Sequence, residues 1–165
     1  MRGRLHLERR APDGRLVDER RASNAVMRTG GELVARLFAG AGSPITHMGV
    51  GTSDAPESDT FATAALTSGA GADALAGGTD VAIPAGAFVI DTDPARRVVL
   101  VKLRATLPPT VGVGTIREAG LLARAGSVTT LYNRVTFAAV TKRSEDELSL
   151  FWEVSFPYGD VQWLM

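Results

Sequence analysis

The chain lacks cysteine, has only two histidines and few aromatic residues, and contains no long apolar run. Without cysteine it has no disulfide, no thiolate metal site and no cysteine nucleophile. No run approaches the roughly 20 apolar residues that cross a bilayer as a helix. The first residues also lack the apolar centre of a signal peptide. The sequence therefore predicts no membrane partner, although the absence of cysteine alone does not decide the compartment.

The chain has no excess of either charge, since 18 basic and 18 acidic residues give a formal net charge of zero. The field of the whole molecule therefore does not steer it toward nucleic acid. The distribution is uneven, because residues 1–28 hold eight arginines and four acidic residues, which leaves the remainder at −4. Acidic residues interrupt the arginines, and no aromatic residue of this segment offers a base-stacking platform. We expect no nucleic-acid partner and a segment that is solvated or bridges subunits.

The apolar residues that are present alternate with polar ones along several segments. At 165 residues the chain fits one domain with a sizeable core. The clearest alternation places Leu148, Leu150, Trp152, Val154 and Phe156 on one face of a strand. Further strands are predicted at 97–107, 116–124 and 128–137, joined by short links. The pattern predicts a mainly β fold, an antiparallel β-sandwich or a partly open barrel built as a meander, with extended terminal arms.

One short helix is predicted at about 29–39. Thr29 and Glu32 have the spacing of a capping box. Apolar residues follow at helical spacing, and Gly40 is placed to end the helix.

The remaining segments define the predicted organisation. Residues 1–28 form an arginine-rich arm or a hairpin around a Pro-Asp-Gly turn. Residues 29–156 form a β-rich core domain, and 157–165 form an apolar C-terminal tail. Within the core domain, 57–90 are predicted as a flexible Ala/Gly-rich loop, with short strands near 81–83 and 87–90.

The polar residues form no recognisable catalytic motif. His6 and His47 have no neighbours at metal-ligand spacing. The glycine pairs at 49–51 and 112–114 lack the spacing and the lysine of a phosphate loop, and no G-x-S-x-G elbow occurs. We predict a protein that is not an enzyme, with no cofactor, no metal and no small-molecule substrate.

Three sets of residues are predicted to matter for contacts. Phe151 interrupts the polar face of the last strand, and exposed apolar residues often anchor interfaces. The C-terminal residues Trp163, Leu164 and Met165 are expected to contact a partner, the alternative being that they fold onto the core. The N-terminal contacts are expected at Arg9, Arg10, Arg20 and Arg21.

Glu118 and Arg134 lie in consecutive predicted strands. A register that brings them close gives a cross-strand ion pair. We expect a structural pair, and the alternative is a contact between subunits.

Several motifs resemble those of small virion structural proteins of tailed bacteriophages and phage-tail-like particles. They are I-x-x-M-G-V-G-T at 45–52, I-R-E-A-G-L-L at 116–122 and L-Y-N-R-V-T-F at 131–137. The V-G-T and R-E-A-G-L-L elements are similar to those in the N-terminal, particle-attaching domain of tail-fibre and collar proteins. The resemblance covers about two-thirds of the chain, from Glu32 to Phe156.

The resemblance implies a structural component of a virion, in the tail, baseplate, collar or connector. Its partners would be copies of itself and other virion proteins, and it would be made in the host cytoplasm before joining the particle. No repetitive fibre shaft follows Phe156 in this sequence, so a compact component is expected. The alternatives are a capsid decoration protein and a carbohydrate- or receptor-binding β-module.

Overall fold

A computed structural model describes residues 2–159 of the chain. These residues form nine strands and one helix, and the strands make one strongly curled antiparallel sheet in the shape of a half-barrel. The expected mainly β fold with one short helix is confirmed. Within this part of the chain, no helix is long and apolar enough to cross a membrane.

The order of the strands across the sheet differs from their order along the chain. Their bounds are β1 Arg2–Arg10, β2 Leu16–Val26, β3 His47–Gly51, β4 Asp80–Ala82, β5 Phe88–Asp93, β6 Val98–Leu107, β7 Gly114–Ala125, β8 Val128–Lys142 and β9 Glu147–Pro157, and the helix α1 is Arg28–Phe38. The order across the sheet is β4-β3-β7-β8-β2-β1-β9-β6-β5. The sheet is therefore not the expected meander, because the hairpin β1–β2 lies between β8 and β9.

The N-terminal hairpin is part of this sheet. β1 pairs with β2 on one side and, from Arg2 to Arg10, with β9 on the other. Its Leu5 and Leu7 are buried in the core, which explains why the hairpin docks inside the sheet. The sheet therefore includes strands from both sides of the predicted boundary between residues 28 and 29.

A single main core cluster draws residues from both halves of the curled sheet. The buried apolar residues of β9 are those of the predicted alternation, from Leu148 to Val154, and Phe156 packs against them. The cluster also includes Leu7, Met48, Leu103, Leu107, Ile116, Leu121, Val135 and Val140. β2 and β8 connect the two halves over two residue pairs only, Ala25↔Arg134 and Val26↔Asn133.

The helix α1 packs on β8, but the predicted capping box is wrong. The residue that caps its N-terminus is Met27, and no side chain bonds the first turn. The Thr29 hydroxyl instead donates to the carbonyl oxygen of Leu131 at 2.6 Å. Thr29 therefore fastens the helix to the sheet, a long-range contact that competes with the local cap. Gly40, with φ of 69°, follows the helix end as expected.

The Ala/Gly-rich segment at 57–90 contains regular structure. It includes single 3₁₀ turns at Gly71–Asp73 and Ala85–Ala87, all of β4 and the start of β5. Backbone bonds tie the segment before β4 to β3, since Thr52 donates to Thr67 at 2.8 Å and Val50 to Thr79 at 2.8 Å. The short strands expected within the segment are therefore present, and the loop that precedes them is bonded to the sheet.

Candidate functional site

The face of the sheet opposite the core carries a groove of about 800 Å³ that crosses β2, β1, β9, β6 and β5. Its position follows from strand alternation, because Leu5, Leu103 and Trp152 are buried and their chain neighbours therefore point outward. We term this surface the Phe151 groove. The outward side chains that line it are Arg4, His6, Arg21, Ser23, Val89, Lys102, Arg104, Phe151 and Glu153.

The groove residues form two rows that cross the strands in register. One row runs Arg21, His6, Phe151, Arg104, and the next runs Ser23, Arg4, Glu153, Lys102, Val89. Side chains directly opposite one another on paired strands have Cβ atoms about 4.5–5.5 Å apart. The register therefore gathers four basic side chains from three strands around one phenylalanine.

The ring of Phe151 is held between two neighbours in its row. Its centroid lies 5.5 Å from that of His6, with 25° between the ring planes. On the other side the Arg104 guanidinium lies 5.2 Å from the centroid, a cation–π contact. Arg104 also donates to the Ser149 hydroxyl at 3.1 Å. The centre of the groove is therefore a positioned aromatic ring beside an ordered guanidinium.

The charge of the groove is mainly positive. Lys102 lies 3.6 Å from Asp91, and Arg21 lies 2.9 Å from Glu19, so both have acidic neighbours. Arg4 and Arg104 have no acidic group within ion-pair distance among residues 2–159. Because unpaired cations at the surface attract anionic groups, these two arginines are the charges available to a partner.

Of the contact residues predicted from the sequence, Arg21 and Phe151 line the groove. The other three arginines bond within the chain: Arg9 to Asp146, Arg10 to Glu8, and Arg20 to Asp18. Trp163, Leu164 and Met165 lie outside the described residues. The structure thus brings together only two of the predicted contacts.

The remaining groove residues were missed by the sequence analysis. Arg4, Lys102 and Arg104 are ordinary outward residues of charged strands, and nothing in their local pattern sets them apart. Their grouping depends on the register of β1, β9 and β6.

A second candidate surface is the free edge of β5. This strand pairs with β6 on one side, and no strand within residues 2–159 pairs with its other side. Ile90 is 72% exposed and Val89 is 56% exposed. An unpaired strand edge with apolar side chains is a template for a further strand. The opposite edge of the sheet is β4, which is only three residues long.

Glu118 and Arg134, which the sequence analysis paired, form a buried ion pair between β7 and β8. Arg134 also pairs with Glu57 and donates to the carbonyl oxygen of Ala55 at 2.9 Å. The second oxygen of Glu118 accepts the Thr67 amide at 2.7 Å. The network lies within the chain and fastens the segment after β3 to the sheet.

The charges of this network hold the arginine protonated. Burial acts to lower the pKa of Arg134, but hydrogen bonds to Glu118 and Glu57 outweigh it and raise that pKa. Glu57 could not be predicted as a partner from the sequence, because it stands in an irregular segment with no periodic pattern.

Burial also shifts the pKa values of two other titratable side chains, Lys142 and Tyr132. Burial lowers the pKa of Lys142, whose ammonium donates to the carbonyl oxygens of Pro108 and Pro109, each at 2.8 Å. Burial also raises the pKa of Tyr132 to about 12. Within the described ranges, no three His, Cys, Asp or Glu side chains are grouped to hold a metal ion.

Asp146 anchors the turn between β8 and β9. Its carboxylate accepts from the Arg9 guanidinium at 2.8 Å and from the Arg143 amide at 3.1 Å. Burial acts to raise the pKa of Asp146, but these bonds outweigh it and lower that pKa. A carboxyl with a lower pKa in the folded state stabilises the fold above its unfolded pKa, and this stabilisation is lost as the pH falls.

Replacing Asp146 with asparagine is expected to destabilise the fold by about 1.5 kcal/mol at neutral pH, since a charged hydrogen bond is lost. The difference from the wild type should shrink as the pH falls below about 4, where the unfolded aspartate is protonated. Urea unfolding over a pH series measures this. Asp73→Asn, at an exposed site, is the control and should show no such trend. A difference that is independent of pH would contradict the role of the charge.

Comparison of the chain with protein-family models, curated proteins and solved structures gave no match. The function is therefore inferred from the sequence motifs and the surfaces described above.

Proposed function

We propose that this protein is a non-enzymatic structural component of a bacteriophage virion, located in the tail, baseplate, collar or connector. It assembles through contacts with copies of itself and with other virion proteins. The motifs at 45–52, 116–122 and 131–137 support the virion assignment. The observation that supports assembly is the free edge of β5, where Ile90 is exposed.

Strand addition at this edge provides two sources of affinity. Backbone groups of β5 pair with an incoming strand, which is a common mode of protein recognition. Burial of an exposed isoleucine contributes about 1.5–3 kcal/mol. Contacts of this strength become large when many copies assemble and each holds several neighbours. A net charge of zero also limits repulsion between copies.

The alternative functions use the same surfaces differently. A capsid decoration protein would make similar contacts at another place on the particle. A carbohydrate-binding module needs an aromatic ring with an open face, and the Phe151 ring already contacts His6 and Arg104. The occupied ring therefore favours a protein contact over sugar stacking.

The wild-type protein is expected to self-associate in solution, and Ile90→Lys is expected to shift it toward the monomer. A charged side chain at the edge opposes strand addition without touching the core. Sedimentation velocity over a wide concentration range measures the change. Val128→Lys is the matched control, because Val128 is 63% exposed and lies away from β5. A wild-type protein that stays monomeric at every concentration would contradict self-assembly.

The virion assignment has its own test. Antibodies raised against the chain should label particles released by the host strain that encodes it, as seen by immunoelectron microscopy. Labelling at one end of a tailed particle supports a tail, baseplate, collar or connector position. Purified particles that contain none of the chain by mass spectrometry would refute the assignment.

A further inference from the structure

We propose that the Phe151 groove of one copy receives the turn Ser58–Phe61 of a second copy, in a head-to-tail contact. The inference rests on the assembly function proposed above and identifies the partner of the groove. The turn lies in the segment between β3 and β4, which contacts β7, β8 and the start of α1. The groove crosses other strands, so the two surfaces share no residue.

Charge is the first reason for this choice. Residues 52–79 contain four acidic residues and neither lysine nor arginine. Two of the four have basic neighbours, since Glu57 pairs with Arg134 and Asp54 lies 3.6 Å from Arg117. Asp59 is exposed and has no ion pair within the part of the chain that the structure describes. It therefore complements a groove whose Arg4 and Arg104 also lack acidic partners.

The second reason is the way in which the turn presents Phe61. This side chain is 42% exposed, and its backbone has a φ of 47°, a left-handed conformation that is strained for a bulky residue. Bonds on both sides hold it, because its amide donates to Ser58 at 3.0 Å and its carbonyl oxygen accepts from Arg28 at 2.9 Å. The surrounding structure therefore maintains the strained conformation of Phe61. This conformation exposes the Phe61 ring two residues after the unpaired carboxylate of Asp59.

The turn is also anchored through the residue that precedes it. Glu57, the residue before it, is bonded to the buried Arg134. A segment that is already ordered loses little conformational freedom on binding, so its contacts contribute more fully to affinity. The groove provides the matching features: unpaired guanidinium groups for Asp59, and for Phe61 the apolar side chain of Val89, which is 56% exposed. Its volume of about 800 Å³ lies within the range of sites that bind ligands.

The geometry determines the kind of assembly. Because the turn and the groove are different surfaces, each copy keeps one free groove and one free turn after the first contact. A repeated contact of this type builds a ring if the rotation closes and a filament if it does not. Either product suits a component that repeats within a particle.

The experiment is a charge reversal with rescue, read out as the self-association constant from sedimentation equilibrium. Asp59→Arg and Arg104→Glu should each weaken the association at least about tenfold, and the combined variant should recover most of the loss. Asp73→Arg reverses an exposed acidic residue of the same segment outside the turn, and it should associate like the wild type. Added salt should weaken the wild-type contact. Arg4→Glu gives a second test of the groove that leaves the Arg104–Phe151 contact intact.

Circular dichroism and thermal unfolding show whether each variant is folded before its association is measured. A wild-type oligomer that Asp59→Arg, Arg104→Glu and Arg4→Glu leave unchanged would overturn the head-to-tail contact, while assembly through β5 would stand. A wild-type protein that does not associate would overturn both proposals. Tight binding of a fluorescent single-stranded oligonucleotide, lost in Arg104→Glu, would assign the groove to nucleic acid and likewise reject the turn as its partner.

Discussion

Replacement of Arg134 by methionine is expected to destabilise the fold by about 3–5 kcal/mol. Arg134 is 4% exposed and its guanidinium lies between the carboxylates of Glu118 and Glu57. Methionine keeps much of the apolar stem but removes the charge. Glu118, which is fully buried, would then lack its cationic partner, and the cost of burying an uncompensated acidic group is the main source of the loss.

The double variant Glu118→Gln/Arg134→Met separates the contribution of the ion pair to stability from the contribution of side-chain packing. Glutamine is neutral, and its carbonyl oxygen still accepts the Thr67 amide. The double variant should therefore be more stable than Arg134→Met alone by roughly 2 kcal/mol, since it no longer buries an unpaired charge. Urea unfolding of the wild type, both single variants and the double variant gives the coupling energy. Strictly additive losses would show that the two residues act independently.

Amide hydrogen exchange tests whether the Glu118–Arg134 pair anchors the segment after β3. Because Glu118 accepts the Thr67 amide and Arg134 donates to Ala55, loss of the arginine should release the segment after β3. Amide hydrogen exchange at Thr67 should speed up more than exchange in β9, which the network does not contact. Equal changes in both places would indicate global destabilisation with no specific anchoring of the segment.

The faces of individual strands could be predicted because strand alternation is a local property. Every second side chain is buried from Leu103 to Leu107 in β6 and from Leu150 to Val154 in β9, and the sequence shows this without knowledge of the partner strands. The order of the strands could not be predicted in the same way. Leu5 and Leu7 are the only large apolar residues of β1, and its partner β9 lies at the other end of the described chain. Its charged outer face therefore looked like that of a solvated arm.

The composition of the Phe151 groove likewise could be predicted only where it depends on a local pattern. Phe151 was predicted because it breaks the polar pattern of its own strand, which is again a local signal. Arg4 and Arg104 lie beside it only because β1 and β6 flank β9 in one particular register. The pairing of Glu118 with Arg134 succeeded because β7 and β8 are consecutive and joined by a short turn, so their register is nearly local.

The contact of α1 with the sheet predicts that alanine substitutions at two neighbouring glycines change the stability of the fold in opposite directions. Gly30 is buried against β8, and a Cβ added there would overlap the carbonyl oxygen of Tyr132 and lie 2.7 Å from its carbonyl carbon. This oxygen already accepts the Met27 amide at 3.1 Å, so the backbone of β8 cannot move away without losing that bond. Gly30→Ala should therefore push the helix off the sheet and destabilise the fold by about 3 kcal/mol.

Gly31 is the matched control, because a Cβ added there meets no atom within 4 Å. Alanine favours the helix over glycine, so Gly31→Ala should stabilise the fold by about 0.5 kcal/mol. Both substitutions add the same methyl group to the same helical turn, so the difference between them isolates the contact with Tyr132. Urea unfolding of the two variants and the wild type measures it. If Gly30→Ala were as stable as Gly31→Ala, the close approach of α1 to β8 would be wrong, and with it the anchoring role of Thr29.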